Sequence, residues 1–320
     1  MVKIFYSNQS YALFLVPLLI GGYVALNAYV PTFAIVNSQL DLGVWGSYSI
    51  DLELISQISG PGLILTEAIM INMLYNRNEF FDRNNHLPAL LFVTATSFFP
   101  LFYTLSGTSI AFFFFVFAFR QFFKFHQNED GRKAAFNLGF LFAIAASFYP
   151  LLMGLFPLLF LVLWTFRPFV FRESALVITG ILVPTLYGIL WMFWQDISFE
   201  TTILSATMHT GFTPLIILTS GMFIFFVLSL KTTLLKMQQG SIRIRKIFRV
   251  LVLSLAALFV LSVGDYFLFG STEAAAFMLI PLVFIFPYAF GYKKLRPEAS
   301  IVFHIFLLVS VGKFFIPYFL

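Results

Sequence analysis

A chain of 320 residues with 60% hydrophobic and only 10% charged residues is too apolar for a soluble globular protein, in which about 25% of residues are charged. The absence of cysteine excludes disulfides, thiolate nucleophiles and thiolate metal sites. The net charge of +5 does not indicate nucleic-acid binding, because the basic residues follow a membrane-topology pattern.

The apolar stretches have the length that crosses a bilayer, which is about 20 residues for a helix. The first stretch is predicted to be a retained helix, because no small-residue cleavage site follows it. The sequence predicts an all-α fold: one polytopic transmembrane helical bundle that forms a single integral membrane domain over residues 1–320. Eleven spans are expected, in chain order Tyr11–Val30, Ile58–Tyr75, Pro88–Leu105, Thr108–Phe125, Ala134–Pro150, Leu151–Phe166, Ser174–Trp194, Phe212–Leu230, Ile247–Val263, Glu273–Gly291 and Ile301–Tyr318.

The basic residues support this count and orient the bundle. Cytoplasmic connections of membrane proteins carry an excess of lysine and arginine. With the N-terminus inside, every basic residue except Lys313 falls on an inner connection or its edges. The sequence therefore predicts an inner N-terminus and an outer C-terminus. The acidic residues expected on the outer side are Asp41, Asp51, Glu53, Asp196, Glu200, Asp265 and Glu273.

The long first outer loop contains the candidate catalytic carboxylates. The segment Pro31–Gln57 is too apolar for a plain loop, so part of it is predicted to lie at the membrane surface or to fold back on the bundle. Asp41, Asp51 and Glu53 are candidate general bases, and they could hold a divalent cation if the protein is an enzyme. The alternative is that they are acidic by default, because the positive-inside rule leaves outer loops without basic residues.

Two polar residues fall inside the second span. Glu67 is the acidic residue expected deepest in the membrane, where an ionised carboxylate is costly, so it should face a cavity or a partner or be protonated. Asn72 follows five residues later, a spacing that does not stack two side chains on one helical face. Glu67 is either a proton-relay or pocket residue, or it makes a structural hydrogen bond between helices.

The inner connections offer Arg120, Arg167 and Arg172 as contacts for an anionic ligand or lipid, since arginine binds phosphate bidentately. Topogenic anchoring is the alternative explanation for these arginines. No nucleotide-binding loop and no HExxH pattern occurs, and no metal site or cofactor is predicted. In the inner stretch RNEFFDRNNHLPAL, Arg77 to Leu90, Asn84 or Asn85 is expected to cap the next helix, with Pro88 in its first turn.

Several short motifs resemble a family of uncharacterised polytopic inner-membrane proteins from Bacteroidota. The resemblance covers roughly Asn76 to Pro184 and implies a location in the bacterial inner membrane. The motifs are the turn Asn84 to Pro88, Phe99-Pro100, the arginine exit at Arg120, the re-entry Phe136 to Gly139, the stretch Ala146 to Pro150 and the turn Arg167 to Glu173.

More distantly, the many helices, the long first outer loop and the segment GRKAAFNLGFLFAIAASFYP are similar to the GT-C superfamily of polyprenyl-phosphate-sugar glycosyltransferases. This resemblance implies a GT-C-like bundle in which Asp41, or the pair Asp51 and Glu53, occupies the position of the catalytic base. It also implies an outer basic residue that holds the phosphate, for which the chain offers Lys313.

The leading hypothesis is a multi-pass inner-membrane protein of envelope glycan or lipid-linked sugar metabolism, which binds membrane lipids and a polyprenyl-phosphate lipid. A second hypothesis is a non-catalytic subunit or scaffold with a membrane protein partner, which requires a hydrogen-bonded Glu67. A third is a transporter that uses Glu67 as its coupling carboxylate. Nucleic acid is not an expected partner.

Overall fold

The computed structural model describes residues 2–7, 10–29, 39–49, 53–81, 83–99, 103–127, 131–166, 170–197, 212–291 and 296–315. Helices dominate these residues, and two strands of three residues each, β1 (Gln39–Asp41) and β2 (Ser47–Ser49), form a hairpin. The α-helices are α1 (Val2–Tyr6), α2 (Leu15–Tyr29), α3 (Glu53–Arg77), α4 (Leu87–Thr96), α5 (Gly107–Gln127), α6 (Arg132–Phe148), α7 (Phe156–Phe166), α8 (Phe171–Trp194), α9 (Phe212–Gln239), α10 (Ile242–Phe269), α11 (Ala274–Phe277), α12 (Leu279–Ile285) and α13 (Pro297–Gly312). Short 3₁₀ turns precede α2 and α7 and follow α12 and α13.

Helices of membrane-crossing length confirm the prediction of a multi-pass helical membrane protein. Within the described ranges, seven are long and apolar enough for the purpose: Tyr11–Tyr29, Ser56–Arg77, Gly107–Phe125, Phe171–Trp194, Leu218–Gln239, Ile242–Phe269 and Pro297–Phe315. A helix satisfies its own backbone hydrogen bonds, which is why these apolar segments form helices in lipid.

Three further apolar stretches that the sequence predicted as spans form helices of 10–17 residues, shorter than those seven. They are Leu87–Thr96, Pro150–Phe166 and Ala274–Phe290. Every residue of α4 is buried, and so is every residue of α12, so both helices lie inside the bundle. The span predicted at Pro88–Leu105 ends as an α-helix at Thr96. There the hydroxyls of Thr94 and Thr96 bond to carbonyls of the preceding turn and compete with the helical pattern.

Phenylalanine side chains fill much of the interior around α4 and α12. Phe284 of α12 packs against Phe80 at 5.3 Å and against Phe123 of α5 at 5.3 Å between ring centroids. Phe80 also meets Phe248 of α10 edge-on at 5.9 Å. In lipid, the hydrophobic effect does not drive helices together, because lipid tails are as apolar as the side chains. Aromatic packing of this kind therefore stabilises the bundle.

Two glycines allow α6 and α8 to pack in direct backbone contact. A Cβ at Gly139 would collide with the carbonyl oxygen of Val177, and one at Gly180 would collide with that of Phe136. Small residues at a crossing of membrane helices permit this close approach.

One end of the bundle, here called the hairpin end, carries the β1–β2 hairpin. The start of α5 and the end of α6 meet the hairpin there, since a Cβ at Gly107 would lie 2.6 Å from the carbonyl oxygen of Asp41 and 2.9 Å from that of Phe148. The end of α8 arrives at the same place, where Trp191 Nε1 donates to the carbonyl oxygen of Trp45 at 3.2 Å.

The opposite end of the bundle is here called the basic end. Other helix ends contact one another there. The amide of His86 donates to the carbonyl oxygen of Phe5 at 2.7 Å, which fixes α1 beside the start of α4. The hydroxyl of Tyr6 donates to the carbonyl oxygen of Gly291 at 3.2 Å. Lys246, near the start of α10, donates to the carbonyl oxygen of Phe166 at the end of α7 at 2.6 Å.

Candidate functional site

The hairpin is held in shape by Asp41. Asp41 pairs with Ser47 across the two strands, and its Oδ1 accepts a 2.9 Å hydrogen bond from the amide of Gly43. Gly43 and Gly46 have φ values of 64° and 90°, which side chains other than glycine rarely adopt. An aspartate that binds the backbone two residues later is a common way to set such a turn.

The hairpin is fixed to the bundle by tryptophans. Trp45 Nε1 donates to Oγ of Ser147 on α6 at 2.9 Å, and the Trp45 and Trp191 rings lie 6.0 Å apart. A Cβ at Gly43 would come within 2.6 Å of the carbonyl oxygen of Phe148. The hairpin therefore covers the ends of α6 and α8 at short range.

Glu273 lies beneath the hairpin end at the start of α11. Thr108, in the first turn of α5, donates its hydroxyl to Oε2 of Glu273, and the amide of Glu273 donates to Oγ of Ser271 at 3.3 Å. Glu273 is buried. Thr108 directly follows Gly107, the residue that contacts Asp41. The hydrogen bond from Thr108 therefore places the Glu273 carboxylate one residue along α5 from that contact.

Asp265 occupies the last turns of α10 and is 2% exposed. Its Oδ2 accepts hydrogen bonds from the hydroxyl of Tyr149 at 3.0 Å and from the amide of Ala274 at 3.1 Å. Tyr149 follows Phe148 directly and lies within electrostatic range of both Asp265 and Glu273. These two donors satisfy one oxygen of a carboxyl group that is removed from water.

Asp41, Asp265 and Glu273 are here called the hairpin-end acidic site. Two pairs of consecutive residues link them: Gly107-Thr108 contacts Asp41 and Glu273, and Phe148-Tyr149 contacts the hairpin and Asp265. The three acids differ in their partners, because Asp41 Oδ2 is buried and has no hydrogen-bond partner among the described residues.

The sequence predicted this site in part. Asp41 belongs to it, whereas Asp51 lies outside the described residues. Glu53 is the first residue of α3 rather than part of a loop, and its side chain is not described. Asp265 and Glu273 were recognised only as outer acidic residues. A signal for Asp265 exists in the sequence, because an aspartate in the apolar run VLSVGDYFLF needs a partner.

Glu67 and Asn72 both lie on the buried face of α3. Glu67 is 1% exposed, and neither of its carboxyl oxygens has a hydrogen-bond partner in the part of the chain that the structure describes. Asn72 Nδ2 lies 3.0 Å from Nδ1 of His86, while Asn72 Oδ1 and His86 Nε2 are buried without a described partner. Burial lowers the pKa of His86 below its ordinary value, which favours the neutral imidazole.

Lys313, the basic residue expected to hold a phosphate on the outer side, is buried in the bundle. Its ammonium donates to the carbonyl oxygen of Ser97 and lies 4.7 Å from the centre of the Phe98 ring and 4.8 Å from that of Phe314. Lys313 is only 4% exposed, so its ammonium does not reach a ligand at the surface. The expectation that it contacts a phosphate is therefore not met in this arrangement.

The structure describes two of the three predicted inner arginines, which lie on different helices. Arg120 is half-buried on α5, Arg172 is exposed in the first turn of α8, and Arg167 lies outside the described residues. Arg120, Arg77 and Lys133 each lie within electrostatic range of Lys124. These basic residues belong to separate segments of the sequence, and the fold brings them together at the basic end.

No group of three or more His, Cys, Asp or Glu side chains that could hold a metal ion occurs among the residues the structure describes. Comparisons with known proteins add no family, because no protein-family model, curated protein or solved structure matches the chain. The function is therefore inferred from the arrangement of its side chains.

Proposed function

We propose that this protein is a GT-C-like glycosyltransferase of the bacterial inner membrane, which transfers a sugar from a polyprenyl-phosphate carrier in envelope glycan or lipid-linked sugar metabolism. The observation that supports this function best is the hairpin-end acidic site, where Asp41 of the hairpin packs on the helix ends whose next residues bind Asp265 and Glu273. The bundle provides a lipid-facing surface for the carrier, and the site provides carboxylates at the membrane boundary.

The proposed topology has eleven passes, with the N-terminus inside and the C-terminus outside. Successive segments alternate between the two ends: α5 runs away from the hairpin end, α6 returns to it, and α7 leads back to Lys246 at the basic end. The basic end would face the cytoplasm under the positive-inside rule, which gives the hairpin end to the outer side. Acceptor and carrier would then meet at the outer surface.

In the proposed reaction, the carboxylate of Asp41 takes the proton of the acceptor hydroxyl. The acceptor oxygen forms a bond to the anomeric carbon of the sugar while the bond from that carbon to the phosphate oxygen breaks. The polyprenyl phosphate leaves with the electron pair, so no further reactant is needed. Asp41 suits the role of base because its side chain is only partly buried and its Oδ2 has no described donor, whereas Asp265 and Glu273 are buried and held by donors.

A transporter is the second candidate, and Glu67 is the observation that favours it. A carboxyl group buried at membrane depth with no described partner on either oxygen is suited to bind and release a proton. The same observation weighs against the scaffold hypothesis in the form that requires a hydrogen-bonded Glu67.

The test is sugar transfer by the purified protein in lipid nanodiscs, with a polyprenyl-phosphate sugar as donor and mixed envelope oligosaccharides as acceptors. Asp41→Asn should reduce the rate by roughly 10²–10⁴-fold, the usual contribution of a general base. Asp265→Asn and Glu273→Gln should also reduce it, while Asp196→Asn, at an exposed position with φ 51°, is the matched control and should not.

Full transfer activity in the Asp41→Asn, Asp265→Asn and Glu273→Gln variants would reject the acidic site as catalytic. A Glu67→Gln variant separates the two candidates, because an enzyme keeps its activity without that carboxyl. Loss of proton-driven solute uptake in proteoliposomes on Glu67→Gln, with no sugar transfer by the wild type, would favour the transporter.

A further inference from the structure

Four basic side chains from three helices come together at the basic end. Arg77 is the last residue of α3, Arg120 and Lys124 lie one turn apart on α5, and Lys133 is in the first turn of α6. Arg120, Arg77 and Lys133 all act electrostatically on Lys124. Contact between Phe80 and Phe123, whose ring centroids lie 6.1 Å apart, holds the exit of α3 beside this part of α5. These four residues are here called the basic cluster.

The charges in the basic cluster repel one another. Residues four apart on a helix are neighbours, so Arg120 and Lys124 are a like-charged pair on one face of α5. The charges that act on Lys124 within the described ranges are all positive. An arrangement of this kind is stabilised by an anion placed among the four side chains.

The helix dipole explains only part of the cluster. Cations are favourable at the C-terminal turns of helices, which accounts for Arg77 at the end of α3 and for Lys124 near the end of α5. Lys133 lies at the opposite kind of position, the first turn of α6, where the dipole disfavours a cation. The helix dipole therefore does not explain the position of Lys133. Its place beside three other cations indicates a ligand instead.

The cluster is accessible to a ligand. Arg77 and Lys133 are exposed, whereas Arg120 and Lys124 are half-buried. A ligand can therefore enter from the surface and reach two cations that are partly removed from water, where attraction between opposite charges is stronger.

We propose that the basic cluster binds a phosphate group, at the end of the bundle opposite the acidic site. Arginine matches phosphate with a planar fork of donors, and lysine adds a mobile point charge, so this residue mixture suits a phosphate better than a single carboxylate. The phosphate can belong to an anionic phospholipid headgroup or to a soluble ion, and both sources share this chemistry. The site is independent of sugar transfer.

Binding is measured as the shift in thermal unfolding of the full-length protein. One arm compares nanodiscs of phosphatidylglycerol with nanodiscs of phosphatidylcholine. The other compares inorganic phosphate with chloride at equal ionic strength in phosphatidylcholine nanodiscs. A shift in the first arm alone identifies a lipid headgroup, and a shift in the second identifies a soluble phosphate.

The variant Arg120→Gln/Lys124→Gln should weaken the binding at least tenfold. Arg172→Gln/Arg249→Gln is the matched control, because it removes two exposed basic residues outside the cluster and should leave binding unchanged. Size-exclusion profiles report whether each variant is folded, and Lys133→Gln is a milder variant at an exposed position should the double substitution fail to fold.

Glu129 and Asp130 lie in the sequence between α5 and α6, outside the described residues, and test an internal alternative. If a phosphate is the ligand, Glu129→Gln/Asp130→Asn keeps or strengthens the shift. The proposal is overturned if the wild type shows no shift in either arm, if the cluster variant and the control behave alike, or if phosphate shifts the protein only after Glu129 and Asp130 are neutralised.

Discussion

The hydroxyl of Tyr149 donates a 3.0 Å hydrogen bond to Oδ2 of Asp265, which lies 116 residues further along the chain. The bond connects the end of α6 to the end of α10, directly beside the hairpin. Asp265 and Tyr149 are both buried, so neither group exchanges this partner for water without cost.

Tyr149→Phe should destabilise the protein by about 2 kcal/mol, because the buried carboxyl group of Asp265 loses one hydrogen-bond donor and keeps the amide of Ala274. The free energy of unfolding in mixed micelles checks this value. Tyr187→Phe on the exposed surface of α8 is the control and should change stability little. Equal stability of the Tyr149→Phe protein and the wild type would mean that the bond contributes nothing.

Gly139→Ala should destabilise the protein by at least ~1–3 kcal/mol, because a methyl group between α6 and α8 must push apart two backbones in contact. The thermal midpoint in detergent measures the effect. Gly62→Ala is the matched control, since a Cβ on that helical glycine meets nothing within 4 Å. A control that is as destabilised as Gly139→Ala would rule out the crossing as the cause.

Gly43→Ala should detach the hairpin without unfolding the helices. The added methyl group would meet the carbonyl oxygens of Phe148 and Ser147 at 2.6 and 2.8 Å, and φ at this position is +64°. Trp45 then loses its place beside Ser147, which tryptophan fluorescence and protease cleavage of the hairpin report. If the proposed function holds, sugar transfer falls while helical circular dichroism stays constant. An unchanged fluorescence spectrum and cleavage pattern would contradict the expectation.

His86 should make stability depend on pH in the acidic range. Burial lowers the pKa of His86 in the folded state, while the unfolded chain takes up a proton near the ordinary value of about 6.5. Stability is therefore complete above about pH 6.5 and falls as the pH decreases below it, until the folded pKa is reached, by at most about 1.4 kcal/mol per pH unit. Unfolding free energies from pH 8 to pH 5 measure the slope.

His86→Asn should reduce that slope, because asparagine does not titrate and can still meet Asn72. His304→Asn changes an exposed histidine of α13 and serves as the control. A His86→Asn protein with the full wild-type slope would assign the pH dependence to other groups.

The turn between α3 and α4 illustrates how far local sequence can be read. The expectation that Asn84 or Asn85 caps the next helix was wrong, because the N-cap residue is His86 and it makes no side-chain cap hydrogen bond. Asn85 still contacts the start of α4, where its Oδ1 accepts from the amide of Leu87 at 3.3 Å, whereas Asn84 is exposed. The choice between them is decided by Asn76, which forms hydrogen bonds to the amide and the carbonyl oxygen of Asn85. Both asparagines are good capping residues by propensity, but the approach of α3 fixes Asn85 one position before the N-cap.

The sequence by itself determined that this protein is a multi-pass helical membrane protein, because the cost of apolar surface in water and of unpaired backbone groups in lipid is set by composition over about 20 consecutive residues. Tertiary structure alone decided that Glu273 meets Thr108, that Asp265 meets Tyr149, and that Lys313 points into the bundle. Those pairings join segments more than 100 residues apart, and their partners are selected by helix packing rather than by any local pattern.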